Sequence, residues 1–287
     1  MARLFKSIKM KDYLVKKYDS KTDEIAFSYD DLPMWSSVPG NLLLENIDYG
    51  THKTIVDIGF GAGFPLIQLA HRFGNSCNII GIELWENAIK KAEQKIKSRG
   101  LENITILNND ASNMNIDTAS VDIITSNLGI NNFEKPIDVI KECHRILKKN
   151  GVLYLSSNLI GTFAEFYQIF QETAFELEKT DILENLETHI NNRQSNIGLN
   201  SIFESNEFEV IETKETTYQI KYADGTAFLN DYFTIMCFLP SWKELLSTEE
   251  REYFFSKLES NLNKVSRNMG GLNLTVPIVM KKIKKRL

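Results

Sequence analysis

Four short stretches of this chain combine acids, amides and glycines in a way suited to holding a ligand. The first is Asp57-Ile-Gly-Phe-Gly-Ala-Gly63, with glycines at alternate positions. Without Cβ atoms the backbone can turn sharply and come close to a ligand. A helix opening just after such a turn offers free N–H groups. The dinucleotide fingerprint is G-x-G-x-x-G. Here the third glycine, Gly63, comes one residue early, position 64 is Phe, and an acid, Asp57, opens the motif. A carboxylate there would repel a pyrophosphate and could serve a ligand carrying an ammonium group. The second stretch ends on Glu83, 20 residues beyond Gly63. That placement suits an acid accepting hydrogen bonds from two ribose hydroxyls. Leu84 and Trp85 follow, and either could pack on a base, with core packing the other reading for Trp85. The third is Asn109-Asp110-Ala111, where the acid can accept from an exocyclic amine. The fourth, Ser126 to Asn132, contains Asn127 and Leu128, and Asn131 and Asn132 are candidates to orient a second ligand.

Each stretch needs an element to hold it. Lys53 to Ile58 is a β-branched run that stops at glycines and reads as a buried strand. Pro65 to Phe73 reads as a helix, Asn78 to Ile82 as a strand, and Glu86 to Arg99 as a helix stopped by Gly100. Ile104–Leu107 and Val121–Thr125 read as strands, Glu134–Leu147 as a helix and Gly151–Ser156 as a strand. This alternation predicts right-handed crossovers and a mostly parallel sheet with helices on both faces. Ligands of such sheets bind beyond the carboxyl ends of the strands, where all four stretches fall.

The flanks are less regular. Asn41 to Glu45, after Pro39, predicts a helix ending near Gly50. Thr162 to Leu177 predicts a helix whose Phe163, Phe166, Phe170 and Ala174 share one face, a stripe that reads as core. Phe208–Ile211 and Thr217–Tyr222 read as two strands, Thr248–Met269 as a helix, and Leu272–Ile283 as a last, antiparallel strand. The basic tail from Lys281 to Arg286 reads as a solvated edge. The chain is expected to form one domain over 1–287, with an N-terminal cap (1–50), a core (51–160), and cap helices with the sheet edge (161–287).

Composition narrows the partners. Hydrophobic residues make up 43% of 287, too many for a disordered chain. Lys and Arg number 33 against 38 Asp and Glu, a net charge of -5 that argues against nucleic acid as an obligate partner. Cys77, Cys143 and Cys237 are far apart, so no disulfide framework and no metal site is signalled. They read as buried thiols of a cytoplasmic protein. No run of about 18 apolar residues spells a membrane span.

Taken together, VDIGFGAGF (56–64), GIE (81–83), NNDA (108–111), DIITSNLGI (122–130) and ECHRILKKNGVLYLSS (142–157) resemble the core of the class I S-adenosylmethionine-dependent methyltransferases. The last piece is similar to the small-molecule branch, methyltransferase type 11, that includes quinone-biosynthesis enzymes. The resemblance runs from Thr54 to Leu159. It implies a Rossmann-like, doubly wound seven-stranded sheet with helical cap insertions, and S-adenosylmethionine as cofactor. It also implies that Asp57, Gly59, Gly61 and Gly63 hold the methionine part, Glu83 the ribose, Asp110 and Ala111 the adenine, and that Asn127 and Leu128 line the interface of donor and acceptor. Tyr18, Tyr29 and Trp35 are candidates to close over the cofactor. His189 and Asn131 are candidate base or acceptor contacts, whereas His144 reads as structural. Enzymes that methylate exocyclic amines of DNA carry prolines after the fourth strand; Leu128-Gly129 stand there instead.

The expected activity is therefore methyl transfer to a small molecule, with S-adenosylhomocysteine as product and a homodimer through the cap region as an assembly. A nicotinamide oxidoreductase, an RNA or protein methyltransferase and a non-catalytic S-adenosylmethionine-binding module are the alternatives. Gly63 and Asp57 speak against the first of these.

Overall fold

The computed structural model of the 287-residue chain describes residues 11–18 and 34–286. It divides into two compact units. One holds Ser20–Ile160, Arg193–Thr217 and Pro277–Leu287; the other holds Met1–Asp19, Gly161–Asn192 and Tyr218–Val276.

The strands are β1 (Thr54–Ile58), β2 (Asn78–Glu83), β3 (Ile104–Asn108), β4 (Val121–Asn127), β5 (Leu147–Asn158), β6 (Phe208–Tyr222) and β7 (Leu272–Lys285). They form one sheet in the order β3-β2-β1-β4-β5-β7-β6. β1 pairs in parallel with β2 and β4, β2 with β3, and β4 with β5, while β7 runs antiparallel to β5. The strand order reverses at β1, which places a ligand crevice between the carboxyl ends of β1 and β4. This is the mostly parallel seven-stranded sheet the sequence predicts.

Helices cover both faces of the sheet in the first unit. Leu66–Phe73 and Glu86–Ser98 pack with Phe60, Ile55 and Ile79 on one face. Pro136–Ile146 and Asn196–Glu204 pack with Val56, Ile124 and Leu155 on the other. The second unit has an aromatic core. Phe163, Phe166, Phe170 and Ala174 are buried there, as their spacing predicts. The Phe166 and Trp242 rings stack with centroids 4.2 Å apart. Among the described residues no helix is long and apolar enough to cross a membrane.

Four expectations change. The helix read over Asn41–Gly50 is Met34–Leu44, with Pro39 inside it. It stops early because the Asn46 amide takes the Leu42 carbonyl at 2.6 Å, satisfying a group that a further turn would have used. The two strands read around the polar run Glu212–Thr216 are one, β6. An edge strand tolerates polar side chains on both faces. The basic tail is no solvated edge, because β7 lies between β5 and β6. Lys281 is fully buried, its ammonium held by Asn196 and Asn200, and Lys285 donates to the carbonyls of His144 (2.8 Å) and Leu147 (3.2 Å). Of the three free thiols, Cys77 and Cys143 are buried and Cys237 is exposed.

Candidate functional site

The glycine turn leaves β1 at Asp57 and enters the helix Leu66–Phe73. Gly59, Gly61 and Gly63 have φ of 75°, 53° and 116°, so glycine is needed at all three. Gly63 is doubly constrained, since a Cβ there would stand 2.7 Å from Ile67 Cδ1. Phe60, between the first two glycines, points into the core against Gly81 of β2, where a Cβ would come within 2.7 Å of the ring. One side chain in the turn thus anchors it, and the Gly59 and Gly63 amides are bonded to the Ile82 (2.8 Å) and Phe60 (3.0 Å) carbonyls.

Asp57 is completely buried. Its Oδ1 accepts from Thr125 Oγ1 of β4 at 2.6 Å. Its Oδ2 is buried with no hydrogen-bond partner among the described residues. Burial pushes the carboxyl up to about 7, and the Glu83 charge adds to the rise; the Thr125 hydroxyl and the Leu66 amide oppose it. An unpartnered buried carboxylate oxygen is costly, which makes Asp57 a candidate ligand contact. Beyond the Leu66 amide, which acts on the carboxyl, a cation would complete its pairing.

Glu83 ends β2 and reaches back to the turn. Its Oε2 accepts from the Gly61 amide at 2.8 Å, and Oε1 from the amides of Leu84 (2.8 Å) and Trp85 (3.0 Å). Three of about four acceptor sites on a carboxylate are therefore filled by backbone, and a diol would meet one open site and the Gly61 contact. On the other side of the turn, Lys95 Nζ donates to the Ala62 carbonyl at 2.9 Å. Asp110 is exposed, and its Oδ1 accepts from the Ser112 amide at 2.8 Å, which with the Ser112 side chain holds the carboxyl below the usual range. Ala111 beside it is buried, and Leu84 is exposed.

After β4 the polar side chains tie elements together. Asn127 Oδ1 accepts from Ser156 Oγ at 2.6 Å, and its Nδ2 donates to the Ser36 carbonyl at 3.0 Å. Both ends of that amide are engaged, so Asn127 positions the helix that carries Trp35. Gly40 in the same helix lies so close to the Phe64 ring that a Cβ would overlap it. Leu128 has φ of 63°, a left-handed residue that turns the chain into Gly129–Asn131. Asn131 accepts from Ser157 Oγ at 2.9 Å and donates to Asn158 Oδ1 at 2.6 Å.

The structure therefore places Asp57, the three glycines and Glu83 at the adjoining ends of β1 and β2, with Glu83 hydrogen-bonded to Gly61 and Asp57 to Thr125. His189 belongs to the other unit. There its Nε2 is 3.0 Å from Tyr167 Oη, which accepts from Trp242 Nε1 at 3.1 Å. Tyr29 lies outside the described residues. Thr125, Ser156, Gly40 and Lys95 touch the candidate residues or the elements that hold them, and nothing in their spacing along the chain points to it. A hydroxyl on β4 opposite the acid of β1 was a usable signal only once the register Asp57↔Thr125 was known.

Residues 50–225 match a family model described as a methyltransferase domain. That is more than half of the chain, and the chain belongs to this family of methyltransferase domains. The demethylmenaquinone methyltransferase of Geobacillus stearothermophilus is 30% identical over 118 residues, 41% of this chain and 50% of that relative. The chain thus spans about half the length of the curated relatives it matches first. Among solved structures, a SAM-dependent methyltransferase from Aquifex aeolicus has a TM-score of 0.52 at 19% identity, over 69% of this chain and 92% of that one. The [4+2]-cyclase SpnF has the same TM-score, 0.52, at 14% identity, over 95% of this chain and 98% of that one. Such likeness shows the fold, and the second neighbour shows that this fold also carries a different reaction.

Proposed function

We propose that this chain transfers a methyl group from S-adenosylmethionine to a small-molecule acceptor. The observation that carries the reading is Asp57 Oδ2, buried without a partner beside a turn of three positive-φ glycines. The cluster fits the cofactor. Asp57 would take the ammonium of the methionine part, the glycine turn its backbone, Glu83 the ribose, and Asp110 with Ala111 the adenine. A pyrophosphate would face two carboxylates here, which argues against a nicotinamide oxidoreductase.

When bound, S-adenosylmethionine supplies a methyl carbon on a sulfonium, whose departure as a neutral thioether needs little assistance. The chain's own task is orientation, which can lower a barrier by about 7–11 kcal/mol. Phe60 buries one side of the turn, Lys95 and Glu83 hold its two flanks, and Asn127 fixes the helix of Trp35. Asn131 presents a polar, braced surface at the end of β5 on which an acceptor can rest. A general base adds about 10²–10⁴-fold where a proton must leave; His189, 3.0 Å from Tyr167 Oη, stays the candidate from the sequence. The names of the curated relatives support a quinone-like acceptor. The acidic chain and the missing prolines after Asn127 support a non-DNA substrate in the cytoplasm, and the cap region is the proposed homodimer contact.

Calorimetry with S-adenosylhomocysteine and with NAD tests the reading. We expect a single site for the first and none for the second. Asp57→Ala and Gly61→Val should abolish binding in a folded protein, and unchanged affinity in either variant overturns the assignment. Incubation with labelled cofactor and a demethylated quinone then tests the acceptor. A protein that binds the cofactor product but methylates no small molecule, and instead labels RNA or protein, redirects the substrate class. One that labels nothing is a binding module.

A further inference from the structure

A cavity of about 380 Å³ opens at the amino-terminal ends of β1, β4 and β5. The glycine turn, Glu83 and Asp110 stand at the opposite, carboxyl ends of the strands, so the cavity is no part of the site described above. Its charged lining is Lys53, Lys148, Lys149, Asp48 and Asp122. Asp122 Oδ2 accepts from Lys148 Nζ at 2.7 Å and from the Thr54 amide at 2.9 Å. Burial pulls the Asp122 carboxyl up, but these two contacts outweigh it and hold the group below its ordinary range. Asp48 pairs with Lys282 at 2.7 Å, and that lysine above all keeps the Asp48 carboxyl low. Each acid therefore stays ionised and has its own lysine.

Lys53 and Lys149 form no close ion pair of their own, although the Lys53 charge also helps to hold both acids low. Among the described residues neither Lys53 nor Lys149 has an acid within 4.0 Å. Counting Lys282, four lysines face two aspartates, a local surplus of two positive charges in a chain whose net charge is -5. The backbone is shaped for this arrangement. The pairing of β4 with β5 jumps from Val121↔Leu147 to Ile123↔Val152, so Lys148, Lys149, Asn150 and Gly151 stand out of the ladder as a bulge. Bulges re-aim side chains and leave residues unpaired. Gly151 closes it, because a Cβ there would stand 2.7 Å from Leu147 Cδ2 and 3.1 Å from the Val121 carbonyl. Nothing in the chemistry proposed for the carboxyl ends uses this bulge.

We propose that this cavity binds a small phosphate-bearing anion, a phosphomonoester or a pyrophosphate group. Lysine is a compact point charge that binds phosphate without the planar fork of arginine. Two unpaired ammonium groups match a dianion. The volume falls within the range of about 300–1,000 Å³ that small-ligand sites occupy.

The test uses the full chain and inorganic pyrophosphate as the probe, in calorimetry at low and at physiological salt. We expect one saturable site that weakens with salt. Lys53→Ala and Lys149→Ala should each weaken it about tenfold, the loss of one charge-assisted contact. Lys264→Ala, an exposed lysine of the other unit, should change nothing. Circular dichroism checks that each variant folds, and S-adenosylhomocysteine affinity should be the same in all of them, so that failure here is separable from failure of the methyltransferase reading. Absence of saturable binding with millimolar pyrophosphate overturns the proposal. So does binding that survives loss of both lysines, or that falls equally with Lys264→Ala.

Discussion

Asp57→Asn separates what the acid does for the fold from what it does for a ligand. The carboxyl is completely buried, its close hydrogen bond is to Thr125, and burial pushes it up to about 7 from an ordinary 3.8. Its folded-state value is raised, so the folded protein holds the proton more tightly than the unfolded chain. Stability from this group is therefore present at low pH and is lost as pH rises through the window from 3.8 to about 7. Every tenfold difference in proton affinity between the folded and unfolded chain is worth about 1.4 kcal/mol. Between pH 5 and pH 8 the wild type should lose about 3 kcal/mol relative to Asp57→Asn, whose amide does not titrate. Urea unfolding at a series of pH values measures the difference of the two curves, which cancels any fixed cost of the amide. Parallel curves over that range would refute the claim that a buried, unpaired carboxylate sits in the turn. The same group makes ligand binding pH-dependent in the opposite sense. Wild-type affinity for S-adenosylhomocysteine should fall about tenfold for each step of one in pH below about 7, where the acid must first ionise, and Asp57→Asn should bind poorly at every pH. A variant that is more stable at pH 8 and does not bind would show directly that the site is strained for its ligand.

Three further outcomes follow from single contacts. Glu83→Gln keeps the shape but replaces one carboxylate oxygen, so the contact to Gly61 or those to Leu84 and Trp85 must weaken; cofactor-product affinity should drop at least tenfold in calorimetry. Gly81→Ala places a methyl 2.7 Å from the Phe60 ring and should cost about 1–3 kcal/mol in chemical denaturation, the usual penalty of overpacking; an unchanged midpoint would mean Phe60 does not anchor the turn. His189→Ala should lower the rate of methyl transfer while leaving S-adenosylhomocysteine affinity unchanged; if the rate also stays unchanged, the histidine serves only the Tyr167 and Trp242 hydrogen bonds.

Much of the sheet unit was legible because its signals are local. Five β-branched runs end on turn residues, and the helices between them carry one apolar face each. The helix Thr248–Met269 was readable to the residue, between a serine and a glycine. The missed elements share a different cause. Leu183–Asn191 and Asn196–Glu204 are nine residues each and rich in Asn, whose side chain competes for backbone groups and weakens the helical pattern. The middle of β6 shows no alternation because an edge strand has no buried face to demand one. Lys281 looked like part of a solvated tail because charge alone says nothing about the neutral acceptors, Asn196 and Asn200, that long-range packing brings to it.

Residue type and spacing show that a glycine turn follows an acid, that a second acid ends the next strand, and that strands alternate with helices as in a mostly parallel sheet. Those facts rest on residue type and spacing, and they led to the methyltransferase family. Which of the two acids is strained depends on packing. Glu83 is satisfied by three backbone amides, whereas Asp57 beside it is buried with one oxygen unpaired. Burial and partner count depend on which strands lie alongside, here β4 with Thr125, and no spacing along the chain encodes that. The same holds for Asn127, whose amide is taken up by Ser36 and Ser156, and for the lysine bulge at the far end of the sheet, which exists only because β4 and β5 pair out of step.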